Sequence, residues 1–319
     1  MIRIAHSPDA DDAFMFAPLL EGKIPTDGIE FVDVREDIES LNRKATEAGD
    51  AYEVSAVSLH AFPYIANRYH LLSTGACFGD HYGPIVVAMK ALRPKQLLKV
   101  RIGIPGRMTT AFLVLRLYEQ HLAGEGKSGV CYSEAPFDQI MDQVANQKLD
   151  AGLIIHEGQL NFGEKGLHKI VDLGEWWHKE TKLPLPLGGI AIRKDLDLNL
   201  QVKVGRILQA SIQYALDHKE EILPKALPYA RGLDPERAMQ FISMYVNERT
   251  IECGREGFKA MKLLLDRGYE KGILRQRVNL EECFLDLKKG QLRSQKIDFE
   301  ATEVATNNSD EAAPAALSH

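Results

Sequence analysis

The stretch LPLPLGGIAIRKD, residues 183–195, decides how the fold is read. Two prolines and a glycine pair break the chain, and an apolar strand-like segment, GGIAIRKD, resumes at once. An earlier segment, PIVVAMKALRPK at 84–95, has the same character. It closes one strand and leads into a fresh strand–helix–strand unit near residue 100. Two such crossings predict a domain inserted into another. The expected division is a first lobe from 1–90 plus 188–295 and a second lobe from 91–187. Two lobes leave a cleft, the place where small molecules bind in open α/β sheets.

Strand-like and helix-like segments alternate on both sides of these seams. MIRIAHS, GIEFVDVRED, VRIGIPG and AGLIIHE read as strands. AFMFAPLLEGK, IESLNRKATEAGD and TTAFLVLRLYEQHLA read as helices. In PFDQIMDQVANQKLD, residues Phe137, Ile140, Met141 and Val144 recur at the spacing of one helical stripe. VKVGRILQASIQYALDH and REGFKAMKLLLDRG are further helices, the last with Gly268 placed as its C-terminal cap. The alternation predicts an α/β protein with parallel, doubly wound sheets. Residues 296–319 are polar and Ala-rich without an apolar period, the composition of a disordered tail.

The chain has 319 residues, 45% of them hydrophobic, enough to build a sizeable core without staples. Its formal net charge of −6 speaks against a nucleic-acid partner, because phosphate binding needs a basic footprint. Cysteines 77, 131, 253 and 283 form no C-x-x-C pair and read as reduced thiols. The opening MIRIAHSPDADD has neither a basic nor an apolar leader region, and no apolar run reaches the length of a membrane span. The expectation is a cytoplasmic protein with no membrane partner.

Three strand-to-helix turns carry the candidate chemistry. PDADDAF follows the first strand with Asp9, Asp11 and Asp12. SLHAF follows VSAV with Ser58 and His60, and RMTTAF follows RIGIPG with Thr109 and Thr110. Each offers hydroxyls and unpaired N–H groups to an oxygen-rich ligand. Ser, Thr and Asp are equally the ordinary N-caps of helices, and for the three carboxylates capping is preferred over a metal site. Arg107 reads as a solvated loop residue in preference to a carboxylate clamp. G-x-G-x-x-G and the P-loop pattern are both absent, so no nucleotide site is indicated. In LIIHEG, His156 and Glu157 end an apolar strand. If the strand continues through them they point to opposite faces. The residue four after His156 is Leu160, which excludes an H-E-x-x-H zinc site. A histidine at a cleft rim is a candidate general base. His6 and His60 lie near other rim turns, His81 lies in GDHYGP, and WWH at 176–178 reads equally as cleft wall or packing.

Taken in order, HSPDADDAFMFAPL, AVSLHAF, GPIVV, GIPGRMTTAFLVLRL, LIIHEGQL, LPLPLGGIAIR and MYVNERT resemble the 1,4-dihydroxy-6-naphthoate synthase family of menaquinone biosynthesis by the futalosine route. The resemblance spans about residues 1–285. It implies a two-lobed type II periplasmic-binding-protein-like fold with a central cleft. It implies a carbon–carbon lyase that converts cyclic dehypoxanthinyl futalosine to 1,4-dihydroxy-6-naphthoate and releases dihydroxyacetone, with no cofactor and no metal. It further implies His156 as the catalytic base and Thr109, Thr110, Ser58 and Asp11 as substrate-binding residues. The turn PDADD departs from the family in having Ala10 where proline is common, and the C-terminal extension is long. The rival readings are a chorismate dehydratase of the same fold, which lacks the His-Glu pair, and a carboxylate-binding sensor or solute-binding protein without catalysis.

Overall fold

A computed structural model describes residues 1–47, 49, 51–124 and 130–294. The tail expected at 296–319 lies outside the described residues. Among the described residues thirteen strands form two sheets. In chain order they are β1 (Ile2–His6), β2 (Phe31–Arg35), β3 (Val54–Ser58), β4 (Tyr69–Leu72), β5 (Cys77–Gly79), β6 (Ile85–Ala88), β7 (Arg101–Ile104), β8 (Cys131–Glu134), β9 (Ala151–Ile154), β10 (His168–Asp172), β11 (Leu185–Arg193), β12 (Phe284–Asp286) and β13 (Gln291–Leu292). The first sheet runs β13-β12-β4-β11-β3-β1-β2, with β5 also paired to β11. The second runs β10-β6-β9-β7-β8.

The sheets are mixed, not purely parallel as the alternation predicted. β1 pairs in parallel with β2 and β3, and β7 with β8 and β9. The two strands at the crossings break that pattern. β6 lies antiparallel to β9 and β10, and β11 antiparallel to β3, β4 and β5. Each crossing strand enters its sheet from the neighbouring lobe, so it runs against the strands that the local β-α-β units laid down. The chain also changes sheet at β6, ahead of the seam read at residue 91. Apolar strand composition does not say which sheet a strand joins.

The first sheet is covered on both faces, as near-continuous apolar strands require. Ile4, Val54, Ala56, Ile190 and Ile192 pack on one face against helices Ala10–Leu20 and Leu198–Asp217. Alternate residues Val57, Leu71, Ala191 and Phe284 face the other way, into a core that continues into the second lobe beneath helix Thr110–Ala123. That shared core keeps the lobes in register. Fully buried Phe62 and Trp177 each contribute about 2–3 kcal/mol of burial to it.

Helix Gly254–Glu270 runs past Gly268, which is therefore no cap. A Cβ there would lie 2.8 Å from Leu274 Cδ1, so this glycine admits a close helix contact, and Gly272 takes the left-handed turn. All four cysteines are free. Among the described residues no helix is long and apolar enough to cross a membrane.

Candidate active site

The cleft between the lobes encloses about 830 Å³ of empty space, its open mouth included. Its first-lobe wall holds Asp9, Asp11, Asp12 and Ser58, with Gly188 and Gly189 of β11. Thr110, Ala111, Ile155 and Gln159 come from the second lobe, and Phe241 and Tyr245 close one end.

Three helix N-termini converge there. Helix Ala10–Leu20 presents Asp11 and Asp12, helix Ile38–Thr46 presents Ile38, and helix Thr110–Ala123 presents Thr110 and Ala111. First-turn N–H groups have no intrahelical acceptor, and the helix dipoles add positive potential. Ser58 is held by Asn42, whose side chain donates to Ser58 Oγ at 3.0 Å and accepts from Ser58 N at 2.8 Å. That leaves the Ser58 hydroxyl proton for a ligand.

The carboxylates of the opening turn do more than cap. Asp12 Oδ2 accepts from Ser7 N at 2.9 Å, and Asp9 Oδ2 accepts from Ser7 Oγ at 2.5 Å. At the bottom of a narrow cleft, burial and the neighbouring charges of Asp9 and Glu157 raise the Asp11 carboxyl to about 7. Burial and the charges of Asp11 and Asp9 push Asp12 well above the carboxylate range. A carboxyl of this turn that keeps its proton can donate a hydrogen bond to an anionic ligand.

β9 stops at Ile154, so His156 and Glu157 do not continue a strand to opposite faces. They form a buried turn that opens a short helix at Gly158. His156 Nδ1 accepts from Gly158 N at 2.9 Å. A Cβ on residue 158 would lie 2.7 Å from His156 Cε1, so the turn needs glycine there. Because Nδ1 is an acceptor, the neutral ring carries its proton on Nε2, a buried atom without a hydrogen-bond partner. Burial, reinforced by the Arg231 charge, lowers the His156 pKa to about 4, so the ring is neutral at pH 7. Phe137 packs edge-on against it at 5.8 Å.

Glu157 joins a cluster that the sequence did not reveal. Its Oε2 accepts from Arg231 Nη1 at 2.6 Å, and Arg231 Nη2 lies 2.6 Å from Asp9 Oδ1. The guanidinium also lies 4.8 Å from the Phe137 ring centroid. Arg231 thus ties the opening turn of the first lobe to the turn after β9 and to Phe137 of the second. Arg231 takes φ 48° beside Gly232 at 81°, in a tight turn whose only signal in the sequence is the Arg-Gly pair. Tyr245 reinforces the tie by donating to Gln159 Oε1 at 2.7 Å across the cleft.

Asp11, Ser58 and Thr110 thus meet in the cleft. Thr110 Oγ1 donates to the Leu187 carbonyl. Thr109 sits behind the wall, where its Oγ1 accepts from Phe112 N at 3.2 Å and donates to Gly106 O at 2.9 Å, the bonds of a helix N-cap. His156 lies just beneath the lining, between Ile155 and Gln159. His6 is structural, bonded to Asp33 at 2.8 Å and stacked on Phe16. His60 makes a 3.1 Å bond with the Thr109 carbonyl. Arg107 pairs with Glu134 at 2.8 Å on the surface, as its loop reading anticipated.

Two mixed sheets, two crossings and an inter-lobe cleft lined by helix N-termini are the architecture of the periplasmic solute-binding proteins. Solved structures agree: the chain is similar to the alkanesulfonate-binding protein SsuA from Xanthomonas axonopodis, with TM-score 0.67, 12% identity, and coverage of 89% of this chain and 98% of that one. Residues 2–270 match the menaquinone biosynthesis family model, and the chain belongs to that family. It is 35% identical over 272 residues to a 1,4-dihydroxy-6-naphtoate synthase of Thermus thermophilus, covering 85% of this chain and 95% of the relative. A Streptomyces coelicolor protein of the same name is 34% identical over 274 residues, covering 86% and 94%. A solved Archaeoglobus fulgidus protein is 44% identical with TM-score 0.79, covering 85% of this chain and 98% of that chain.

Proposed function

We propose that this protein is a carbon–carbon lyase that converts cyclic dehypoxanthinyl futalosine to 1,4-dihydroxy-6-naphthoate and dihydroxyacetone. The observation that carries the reading is the neutral, buried His156 beside an inter-lobe cleft lined by Asp11, Ser58 and Thr110. The substrate carboxylate meets the helix N-termini and the protonated carboxyls of the opening turn. The Ser58 and Thr110 hydroxyls hold its sugar-derived oxygens. His156 takes a proton from a ring hydroxyl, a retro-aldol cleavage releases the three-carbon fragment, and the remaining bicycle tautomerises to the aromatic product. Donors aimed at the developing oxyanion lower the barrier.

The hydrogen bond from Gly158 N adds one requirement. A base working at Nε2 needs its proton on Nδ1, and Glu157 Oε2, 3.9 Å from Nδ1, is the acceptor that would favour that tautomer after a small ring rotation. Glu157 is thus a positioning residue for the base.

Purified protein incubated with cyclic dehypoxanthinyl futalosine should yield the naphthoate, detected by mass spectrometry. Substrate bound but unchanged would point to a sensor, and turnover of chorismate instead would point to the dehydratase.

A further inference from the structure

The cleft chemistry leaves two histidine motifs unused, GDHYGP and WWH, and the fold brings them together. Asp80, His81 and His178 each place one ligand-type atom within 4.8 Å of the others. The His81 and His178 ring centroids are 3.6 Å apart. His178 Nδ1 is covered from solvent and has no hydrogen-bond partner. We propose that Asp80, His81 and His178 bind a divalent transition-metal ion at the segment where the chain first crosses between the lobes.

The placement follows from backbone packing. A Cβ on Gly79 or Gly174 would lie 1.9 Å from the Tyr82 carbonyl oxygen, so only glycines allow the crossover to press against the start of helix Leu173–Thr181. His178 stands four residues beyond Gly174, on the same helix face, and so confronts the crossover. His81 takes φ 66°, an unusual conformation for a non-glycine residue, and its side chain remains 66% exposed. Asp80 is anchored from the first lobe by Arg249 Nη1 at 3.0 Å and bonds His81 Nδ1 at 2.9 Å. Two imidazoles and one carboxylate with solvent access suit zinc, nickel or copper better than magnesium or calcium. A bound ion would couple the first-lobe anchor Asp80 to the second-lobe helix at His178. Cys77 and Pro84, on either side of this segment, line the cleft.

The test uses a built-in reporter. The chain has two tryptophans, Trp176 and Trp177, which stand two positions and one position before His178. The full chain carrying Cys131→Ser, which removes the exposed thiol as a rival ligand, is titrated with Ni²⁺ while tryptophan emission is followed. The expected result is saturable quenching at a single equivalent, reversed by chelator. His81→Ala and His178→Ala should each weaken binding by roughly tenfold or more. Quenching that never saturates, or a curve unchanged in either variant, would overturn the site.

Discussion

At the scale of single residues, the site is a set of shifted protonation states. Burial and the Arg231 charge hold His156 near 4, so its basic form is populated throughout the neutral range. Its ionisation should then limit kcat/KM only near pH 4, and no limb from this residue should appear near 6.5. His156→Asn should lower turnover by about 10²–10⁴ while thermal unfolding stays cooperative. Wild-type turnover in that variant would remove His156 from the chemistry. Asp11 runs the other way. With a pKa of about 7, it is protonated below that pH and ionised above it. An anionic substrate therefore meets a new negative charge as pH rises through 7, and KM should climb there. Asp11→Asn should flatten the climb, and a parallel rise in that variant would reassign the group. The place of Asp11, Ser58 and Thr110 on the cleft wall was legible in the sequence because strand-to-helix turns advertise themselves. Arg231 was not, since its partners stand 74 and more residues away in the chain.

At the scale of elements, caps and ligands draw on the same residue types, and only packing separates them. Thr109 and Thr110 are adjacent, yet one caps helix Thr110–Ala123 and the other lines the cleft. Thr109→Ala should cost about 1 kcal/mol of stability, read as a lower Tm, with KM nearly unchanged. Thr109→Ser should restore the loss. A large KM effect from Thr109→Ala without destabilisation would make it a ligand. Element types were read from period and turn chemistry, and strands such as β1 and β7 stand where the apolar segments put them. The antiparallel course of β6 and β11 was not readable, because strand direction depends on which lobe the chain arrives from. The end of β9 at Ile154 was equally hidden, since a hydrogen bond from Gly158 to the His156 ring decides it.

At the scale of the whole molecule, the lobes are tied across the cleft by a few polar contacts. Arg231 links Asp9 to Glu157, Tyr245 bonds Gln159, and Arg43 pairs with Glu134 at 2.8 Å. Arg231 is the tie nearest the candidate base, and Glu157 beneath it is 1% exposed, so removing the guanidinium leaves a buried carboxyl without its counter-charge. Arg231→Ala should open the lobes, seen as a larger radius of gyration in solution scattering. It should also lower kcat/KM by about 10²-fold through misplacement of the site. An unchanged radius would show that the shared apolar core alone sets closure. Arg231→Lys should recover little, because an ammonium cannot fork between two carboxylates. By itself the sequence determined the α/β class and the polar turns at strand ends, because period, breakers and cap residues act over a few positions. Only the tertiary structure decided which sheet each crossing strand joins, which of two adjacent threonines faces the cleft, and how Arg231 reaches Glu157. Those outcomes depend on contacts between segments far apart in the chain, and local chemistry carries no record of them.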